Sequence, residues 1–378
     1  MRKTLIPLLL SLLVPGAQAT QTTIPTFDQI IELKRPGSVA LSPDGSRVAY
    51  TVSEANWEEN AYETEIFLAD ASGGEPIQLT RAKKSSTAPA WSPDGTWLAF
   101  GSDRTDKRQL YLIHPAGGEA KVLTNVEEGV GSFEWSPDGT KIAFTMSDPK
   151  PDAAKERDKK YGEFVVIDDE YRMTHLHVVD VDPTATEPAK PKRLTNGNFT
   201  VGSFEWSPDG KSIAFDHRID PNLNNTHTGD ISVLTLGEGS IRKLVTQDGP
   251  DGSPVWSPDG RYIAFQSAMA NPSFYYTNQR IAVVPAAGGQ VKAVSLTFDE
   301  QPGIIGWAAD GIHFSGLERT SSRLYRLDPA TGRHTTLTTT DGAAMGGFSF
   351  SRDFSTVAFT SGDAKSFPEL YVAEVSAL

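Results

Sequence analysis

One short unit returns seven times along this chain and constrains its fold more than any other feature. The type copy is Trp135-Ser136-Pro137-Asp138-Gly139-Thr140-Lys141-Ile142-Ala143-Phe144. It recurs at Trp91–Phe100, Trp206–Phe215 and Trp256–Phe265, with a variant at Leu41–Tyr50 and worn copies at Trp307–Phe314 and Phe350–Phe359. The turn aspartates are Asp44, Asp94, Asp138, Asp209, Asp259, Asp310 and Asp353, at spacings of 50, 44, 71, 50, 51 and 43. A period near 40–50 residues with strand-like content predicts a β-propeller. A pair of β-sandwiches would not produce such regular spacing.

The unit explains itself chemically. In Ser-Pro-Asp-Gly, proline presets the first turn residue, Asp bonds local backbone N–H groups, and glycine takes the left-handed position without a Cβ clash. These aspartates read as structural turn residues. The apolar-Ala-apolar triplet that follows, as in Leu98-Ala99-Phe100, puts its outer side chains on one face and alanine on the other. A small residue on that face lets a neighbouring sheet approach closely.

Each copy continues into a third strand, as at Gln109–Pro115 or His175–Val181, and then a turn such as Gly117-Gly118. A fourth strand such as Val122-Leu123-Thr124 closes the unit. The expected fold is all-β, a seven-bladed propeller of four-stranded antiparallel blades over residues 37–378. The last blade is expected to be incomplete: no Gly-rich turn and no Leu-Thr strand follow Val375. It keeps an open edge or borrows Gln21–Ile24, and an unprotected edge invites self-association.

Residues 1–19, MRKTLIPLLLSLLVPGAQA, read as a secretory signal peptide: Arg2 and Lys3, a short apolar run, then a small-x-small cleavage site. The run is too short to span a bilayer, so no membrane span is expected after cleavage. Residues 20–36 form an N-terminal segment before the first repeat. The expected location is outside the inner membrane, in a periplasm. The 378-residue chain has no cysteine, which excludes disulfides and thiolate chemistry. Its net charge of −13 argues against a nucleic-acid groove. No cofactor is expected.

The repeat resembles the WD40-like propellers of two bacterial groups, the TolB-like periplasmic scaffolds and the prolyl oligopeptidase family of serine peptidases. The dipeptidyl and acylaminoacyl peptidase branches are the nearer likeness. It rests on the short opening helix Thr26–Leu33 set just before the first repeat, the insertion Val165–Leu176 with Tyr171-Arg172, and the ending Phe367-Pro368-Glu369-Leu370-Tyr371-Val372. In that family the propeller caps an α/β-hydrolase domain bearing Ser, Asp and His. No G-x-S-x-G nucleophile elbow occurs in these residues, so no catalytic residue is carried over. The resemblance implies the substrate-gating half of a peptidase, inactive by itself, with a hydrolase domain or chain and peptides as partners. The alternative is a stand-alone TolB-like binding scaffold.

Residues 148–172 form a charged insertion in the third repeat, with eight acidic and six basic residues. In the dipeptidyl branch, acidic groups of propeller insertions hold the substrate's amino terminus. The resemblance therefore makes Glu163, Asp168, Asp169 and Glu170 candidates for an ammonium, and Arg172 for a substrate carbonyl. A solvated loop is the plainer reading of the same charges. His175 and His177 share a face of one strand and are expected to be a blade-surface pair, since no third metal ligand is placed. The lengthened loops at Asn222–Asn225 and Asn271–Thr277 carry Phe274, Tyr275 and Tyr276, which could line a rim or pack locally.

Overall fold

The computed structural model describes residues 24–164, 166, 170–338 and 341–378. The expected signal peptide, Gln21–Thr23, Asp168 and Asp169 lie outside the described residues. The described residues divide into two units, with the boundary between Leu33 and Lys34. In the first, helix α1 (Phe27–Ile31) opens with a capping box, in which Thr26 and Gln29 bond each other's backbone N–H groups.

The regular structure of the second unit is mainly strand, in six hydrogen-bonded sheets among the described residues. Sheet 1 holds β1 (Arg35–Leu41), β2 (Arg47–Asn56), β3 (Ala61–Asp70) and β4 (Ile77–Gln78). Sheet 2 holds β5 (Ser86–Trp91), β6 (Leu98–Ser102), β7 (Gln109–Ile113) and β8 (Lys121–Val122). Sheet 3 holds β9 (Phe133–Trp135), β10 (Lys141–Ser147), β11 (Thr174–Asp180) and β12 (Lys192–Arg193). Sheet 4 holds β13 (Thr200–Trp206), β14 (Ser212–Arg218), β15 (Asp230–Thr235) and β16 (Ser240–Val245). Sheet 5 holds β17 (Asp251–Trp256), β18 (Tyr262–Ser267), β19 (Arg280–Pro285) and β20 (Lys292–Ala293). Each is antiparallel, with strands side by side in chain order.

Sheet 6 differs from expectation. Its four strands β21 (Gly303–Ala308), β22 (Gly311–Glu318), β23 (Ser321–Leu327) and β24 (His334–Thr336) continue into three more: β25 (Ala344–Phe350), β26 (Thr356–Asp363) and β27 (Ser366–Glu374). One parallel bridge, Ser322 to Ala344, makes the link. The Ser322 hydroxyl reinforces it by donating to the Met345 carbonyl at 2.7 Å. The last two repeats therefore share one sheet. Among the described residues no strand follows β27.

The turns are built as their sequence requires. In Ser42-Pro43-Asp44-Gly45, the Ser42 hydroxyl donates to Asp44 at 2.6 Å and accepts the Arg47 N–H at 2.9 Å. Asp44 also accepts the Ser46 N–H, and Gly45 sits at φ +74°. The same bonds recur at Ser92, Ser136, Ser207, Ser257 and Ser351. The serine hydroxyls hold the carboxyls of Asp44, Asp259 and Asp353 down at about 2. Asp310 keeps a turn position but not this pattern: no serine stands two residues before it, and its carboxylate pairs with Arg326 at 2.7 Å. Successive turns touch. The Pro43 ring lies over Gly95, Pro93 over Gly139, Pro137 over Gly210 and Pro208 over Gly260. The turn ends of the first five sheets thus gather on one side, and the connections between second and third strands on the other.

The core lies between sheets. Ala49 packs on Trp91, Leu98 and Phe100 of the next sheet, and Ala99 on Trp135, Ile142 and Phe144. Ala143 meets Trp206, Ile213 and Phe215, and Ala214 meets Trp256, Ile263 and Phe265. Ala264 meets Ile312 and Phe314, while Ala358 meets Leu41 and Val48 of the first sheet. In the worn repeat His313 replaces alanine, and it packs against the stacked rings of Phe350 and Phe354 instead. Four tryptophans also tie their sheets backwards. Trp91 Nε1 donates to the Ala40 carbonyl at 2.9 Å, Trp135 to Ala90 at 3.1 Å, Trp206 to Glu134 at 3.4 Å and Trp256 to Glu205 at 3.2 Å.

Candidate functional site

The insertion between β10 and β11 is the largest departure from the repeat. A solvated loop was the plainer expectation; the structure instead folds ten of its residues into helix α2 (Asp152–Tyr161), with Ala154 buried. Ion pairs account for the rest of its order. Lys150 and Arg157 both pair with Asp158, the latter at 3.0 Å, and hold its carboxyl below the usual range. Arg157 also pairs with Glu170 and lies over the Phe164 ring, 4.4 Å from its centre.

The sequence candidates separate in consequence. Glu163 is exposed just beyond the helix. Glu170 is engaged by Arg157, and its own φ of +55° places it in a tight turn. Arg172 pairs with Glu128 and donates from Nε to the Asp148 carbonyl at 2.7 Å. It therefore fastens the base of the insertion to the connection between sheets 2 and 3. Asp148 anchors the same base through Arg193 at 2.7 Å.

His175 and His177 are not a surface pair. Both are buried, because β11 is an inner strand of its sheet and this face, which His177 shares with Phe144, meets the preceding sheet. His175 Nδ1 lies 3.1 Å from the Thr195 hydroxyl and its ring packs edge-on against Phe199. His177 stacks on Phe144. Burial pushes both imidazoles below their ordinary pKa, so they are neutral packing groups at neutral pH. Among the described residues no group of three His, Asp or Glu could hold a metal ion.

The neighbouring loops meet the insertion on the same side. Asn222 Nδ2 donates to the Tyr171 hydroxyl at 2.6 Å, joining the insertion to the 3-10 turn Leu223–Thr228. The loop after β18 carries a second 3-10 turn, Phe274–Tyr276, in which Phe274 stacks on Tyr275 while Tyr275 and Tyr276 are exposed. Trp57, Tyr161, Phe164, Leu223 and Phe367 are exposed at the corresponding connections of other sheets. Exposed apolar side chains, most of them aromatic, thus stand at the connections on this side of several sheets. Sequence reading missed a polar cavity between sheets 4 and 5, lined by Asp216 and Asp251. The available signal was Asp216 itself, which stands where aligned repeats have Thr51 and Thr145.

Comparison with known proteins bears on the fold. Residues 33–168 match the PD40 family, the TolB beta propeller domain. Dipeptidyl-peptidase 5 of Porphyromonas gingivalis is 28% identical over 331 residues, covering 82% of this chain and 48% of its own length. The uncharacterized peptidase YuxL of Bacillus subtilis is 32% identical over 217 residues, covering 55% of this chain and 32% of its own. The chain thus spans about half, or less, of the length of these curated relatives. Among solved structures, Pyrococcus horikoshii acylaminoacyl peptidase superposes with a TM-score of 0.69 at 19% identity, covering 91% of this chain and 52% of that one. The β-propeller domain of the trilobed protease from Pyrococcus furiosus gives 0.63 at 16% identity, covering 90% and 97%. Oligogalacturonate lyase from Vibrio parahaemolyticus gives 0.64 at 16%, covering 90% of each. At such identities these likenesses establish the fold alone, and the lyase shows that one fold serves unlike chemistries. Residues 33–168 thus match a TolB-type PD40 β-propeller, most of the chain is similar to the dipeptidyl-peptidase 5 of Porphyromonas gingivalis, and its fold is the propeller fold seen in acylaminoacyl peptidase.

Proposed function

We propose that this chain is the substrate-gating propeller of a secreted exopeptidase of the prolyl oligopeptidase family. The observation that carries the reading is the extent of the match to dipeptidyl-peptidase 5: most of this chain against about half of that enzyme. In this reading the seven turn repeats make seven blades, the last three-stranded, and residues 1–19 direct export to the periplasm. Bond cleavage belongs to an α/β-hydrolase domain or chain. The exposed aromatic side chains and the insertion, with Glu163, Asp168, Asp169 and Glu170, meet the peptide.

The 378-residue protein is expected to leave dipeptidyl and aminoacyl reporter substrates unhydrolysed. Turnover abolished by a serine-reactive inhibitor would overturn the assignment of cleavage to another domain. Pull-down from a periplasmic extract is expected to recover a hydrolase. The PD40 match favours one second reading, a TolB-like scaffold; recovery of an envelope complex without a hydrolase would establish that one instead. Amino-terminal sequencing of the exported protein is expected to begin at Thr20.

A further inference from the structure

In five sheets the end of the fourth strand is held to the third by one repeated clamp. In sheet 1 the Leu79 N–H donates to the Ile66 carbonyl at 2.8 Å, and the Ile66 N–H donates to the Thr80 hydroxyl oxygen at 2.8 Å. Leu123-Thr124 clamps Leu110 in the same way at 2.7 and 2.9 Å, and Leu194-Thr195 clamps Leu176 at 2.8 and 2.9 Å. Val294-Ser295 holds Ile281 and Leu337-Thr338 holds Leu324 by the same two bonds. The side chain before the clamped residue can take the hydroxyl proton: Thr80 donates to Glu65, and Thr124 to Gln109 at 2.9 Å.

β27 carries the third-strand half of this clamp alone. Leu370 pairs with Thr360 of β26 as Ile66 pairs with Thr51, Leu110 with Gly101 and Leu176 with Thr145. This register turns the Leu370 N–H and carbonyl away from β26. Among the described residues no strand pairs with that edge, and nothing bonds Leu370 across it. Glu369 stands where Glu65 and Gln109 do; it is exposed, and among the described residues no hydrogen bond or ion pair reaches its carboxylate. Tyr371 is 45% exposed, whereas its counterparts Tyr111 and Tyr325, each paired with a fourth strand, are 4% and 3% exposed.

Charge narrows the complement. Both charged residues of β27, Glu369 and Glu374, are acidic. The fourth strands β8, β12 and β20 open on Lys121, Lys192 and Lys292, each two residues before the clamping apolar residue. These lysines pair with Leu112, Val178 and Val283. The same position in β27 is Val372, and Glu374 is its neighbour on the same face. A second copy of β27 is a poor occupant, because it brings the same two carboxylates and Pro368. Pro368 has no N–H to offer, so pairing on this edge ends at Leu370.

We propose that β27 binds an extended Lys-x-Leu-Thr segment of a partner polypeptide as an antiparallel fourth strand. The segment's leucine N–H meets the Leu370 carbonyl, its threonine hydroxyl lies between the Leu370 N–H and Glu369, and its lysine lies beside Glu374. The proposal rests on β27 and the internal repeats, and does not depend on the peptidase reading.

The probe is the chain's own segment 120–126 as a synthetic peptide, Ala-Lys-Val-Leu-Thr-Asn-Val amide, fluorescein-labelled at its amino terminus. Fluorescence anisotropy with the whole protein is expected to show saturable binding, and unlabelled peptide should slow exchange of the Leu370 amide. Thr124→Val in the peptide is expected to weaken binding by about tenfold or more, since the hydroxyl makes two bonds of the clamp. In the protein, Glu369→Ala, checked for folding by circular dichroism, is expected to cost about tenfold, the loss of one charge-assisted bond. Glu369→Gln restores the acceptor that Gln109 provides in sheet 2 and should bind more tightly than Glu369→Ala. A Leu370 amide protected without peptide at every protein concentration would place another part of this chain on the edge, and protection that grows with concentration would place a second copy there. Either result overturns the proposal, as would absence of saturable binding, equal affinity for the Thr124→Val peptide, or affinity unchanged in Glu369→Ala.

Discussion

The backbone N–H of Leu41 donates to the hydroxyl oxygen of Ser349 at 2.9 Å, joining strands 308 positions apart in the chain. Ser349 stands immediately before the aromatic position of its repeat, as Glu134 and Glu205 do in theirs. The Glu205 carboxylate accepts the N–H of Trp256, and that of Glu134 the N–H of Trp206. One sequence position thus ties neighbouring sheets at three joints, and Ser349 does so between the last sheet and the first. A tryptophan latch cannot form there, because the first repeat has leucine. Leu41, Val48 and Ala358 supply the apolar part of this joint, and the Arg352 N–H donates to the Pro43 carbonyl at 2.9 Å.

Ser349→Ala leaves the buried Leu41 N–H without an acceptor. The expected loss is about 1–3 kcal/mol in urea unfolding, and exchange of the Leu41 amide should accelerate well before that of Trp91. Equal protection of both amides in the variant would mean that the hydroxyl does not hold the joint.

The alanine joints predict an asymmetry. Ala264 faces Ile312 and Phe314 across a closed gap, so Ala264→Leu should destabilise by about 1–3 kcal/mol through overpacking. Phe265, fully buried, should cost about 3–5 kcal/mol when cut to alanine. Trp256→Phe keeps most of the apolar contact and loses the bond to the Glu205 carbonyl, which is worth about 0.5–1.5 kcal/mol. Chemical unfolding of the three variants orders them, and a Trp256→Phe loss as large as that of Phe265→Ala would contradict this division.

Much of this was legible because the repeat states its own chemistry. Ser136 must bond Asp138 and Lys141, Gly139 must take φ +71°, and Ala143 must be small, so the turn and the close approach can be read from one line of sequence. The alternating triplet gave the strand face. What was not legible depended on residues outside the repeat. The helix in the insertion has no side-chain cap and little apolar surface; Lys150, Arg157 and Asp158 hold it by pairings that no local pattern encodes. His175 and His177 looked like a surface pair because alternation alone does not say which face the next sheet will cover. The fusion of the last two repeats into one sheet rests on Ser322 and Ala344, whose meeting is set by tertiary packing.

Ser136→Ala tests the turn directly. Its hydroxyl, buried, both donates to Asp138 at 2.6 Å and accepts the Lys141 N–H at 2.9 Å. Losing both is expected to cost about 1–3 kcal/mol, and the Asp138 carboxyl should titrate closer to its ordinary value in an NMR pH series. A full loss of stability with no change in the Asp138 titration would place the serine's role in packing alone.

The paired glutamates give the fold a pH dependence of defined sign. Burial pushes the Glu205 carboxyl from 4.5 to about 8, and burial with repulsion from Glu205 pushes Glu134 up as well. A carboxyl whose folded value lies above its unfolded value stabilises most below the unfolded value, and that stability is lost as pH rises through the folded one. Buried His217, held at about 4, acts oppositely between 4 and 6.5, and Asp251 stops contributing above about 6. The window from about 6.5 to 8 lies below the folded Glu205 value, and a Glu205 variant separates the glutamates from the other buried groups that titrate there. Unfolding free energy should fall across it, by up to about 1.4 kcal/mol per pH unit for each carboxyl that the folded state keeps protonated. Glu205→Gln keeps a group that can accept the Trp256 N–H but cannot ionise, so its stability should fall less over the same window. Parallel slopes for the variant and the parent protein would show that the pair does not hold its protons in the folded state.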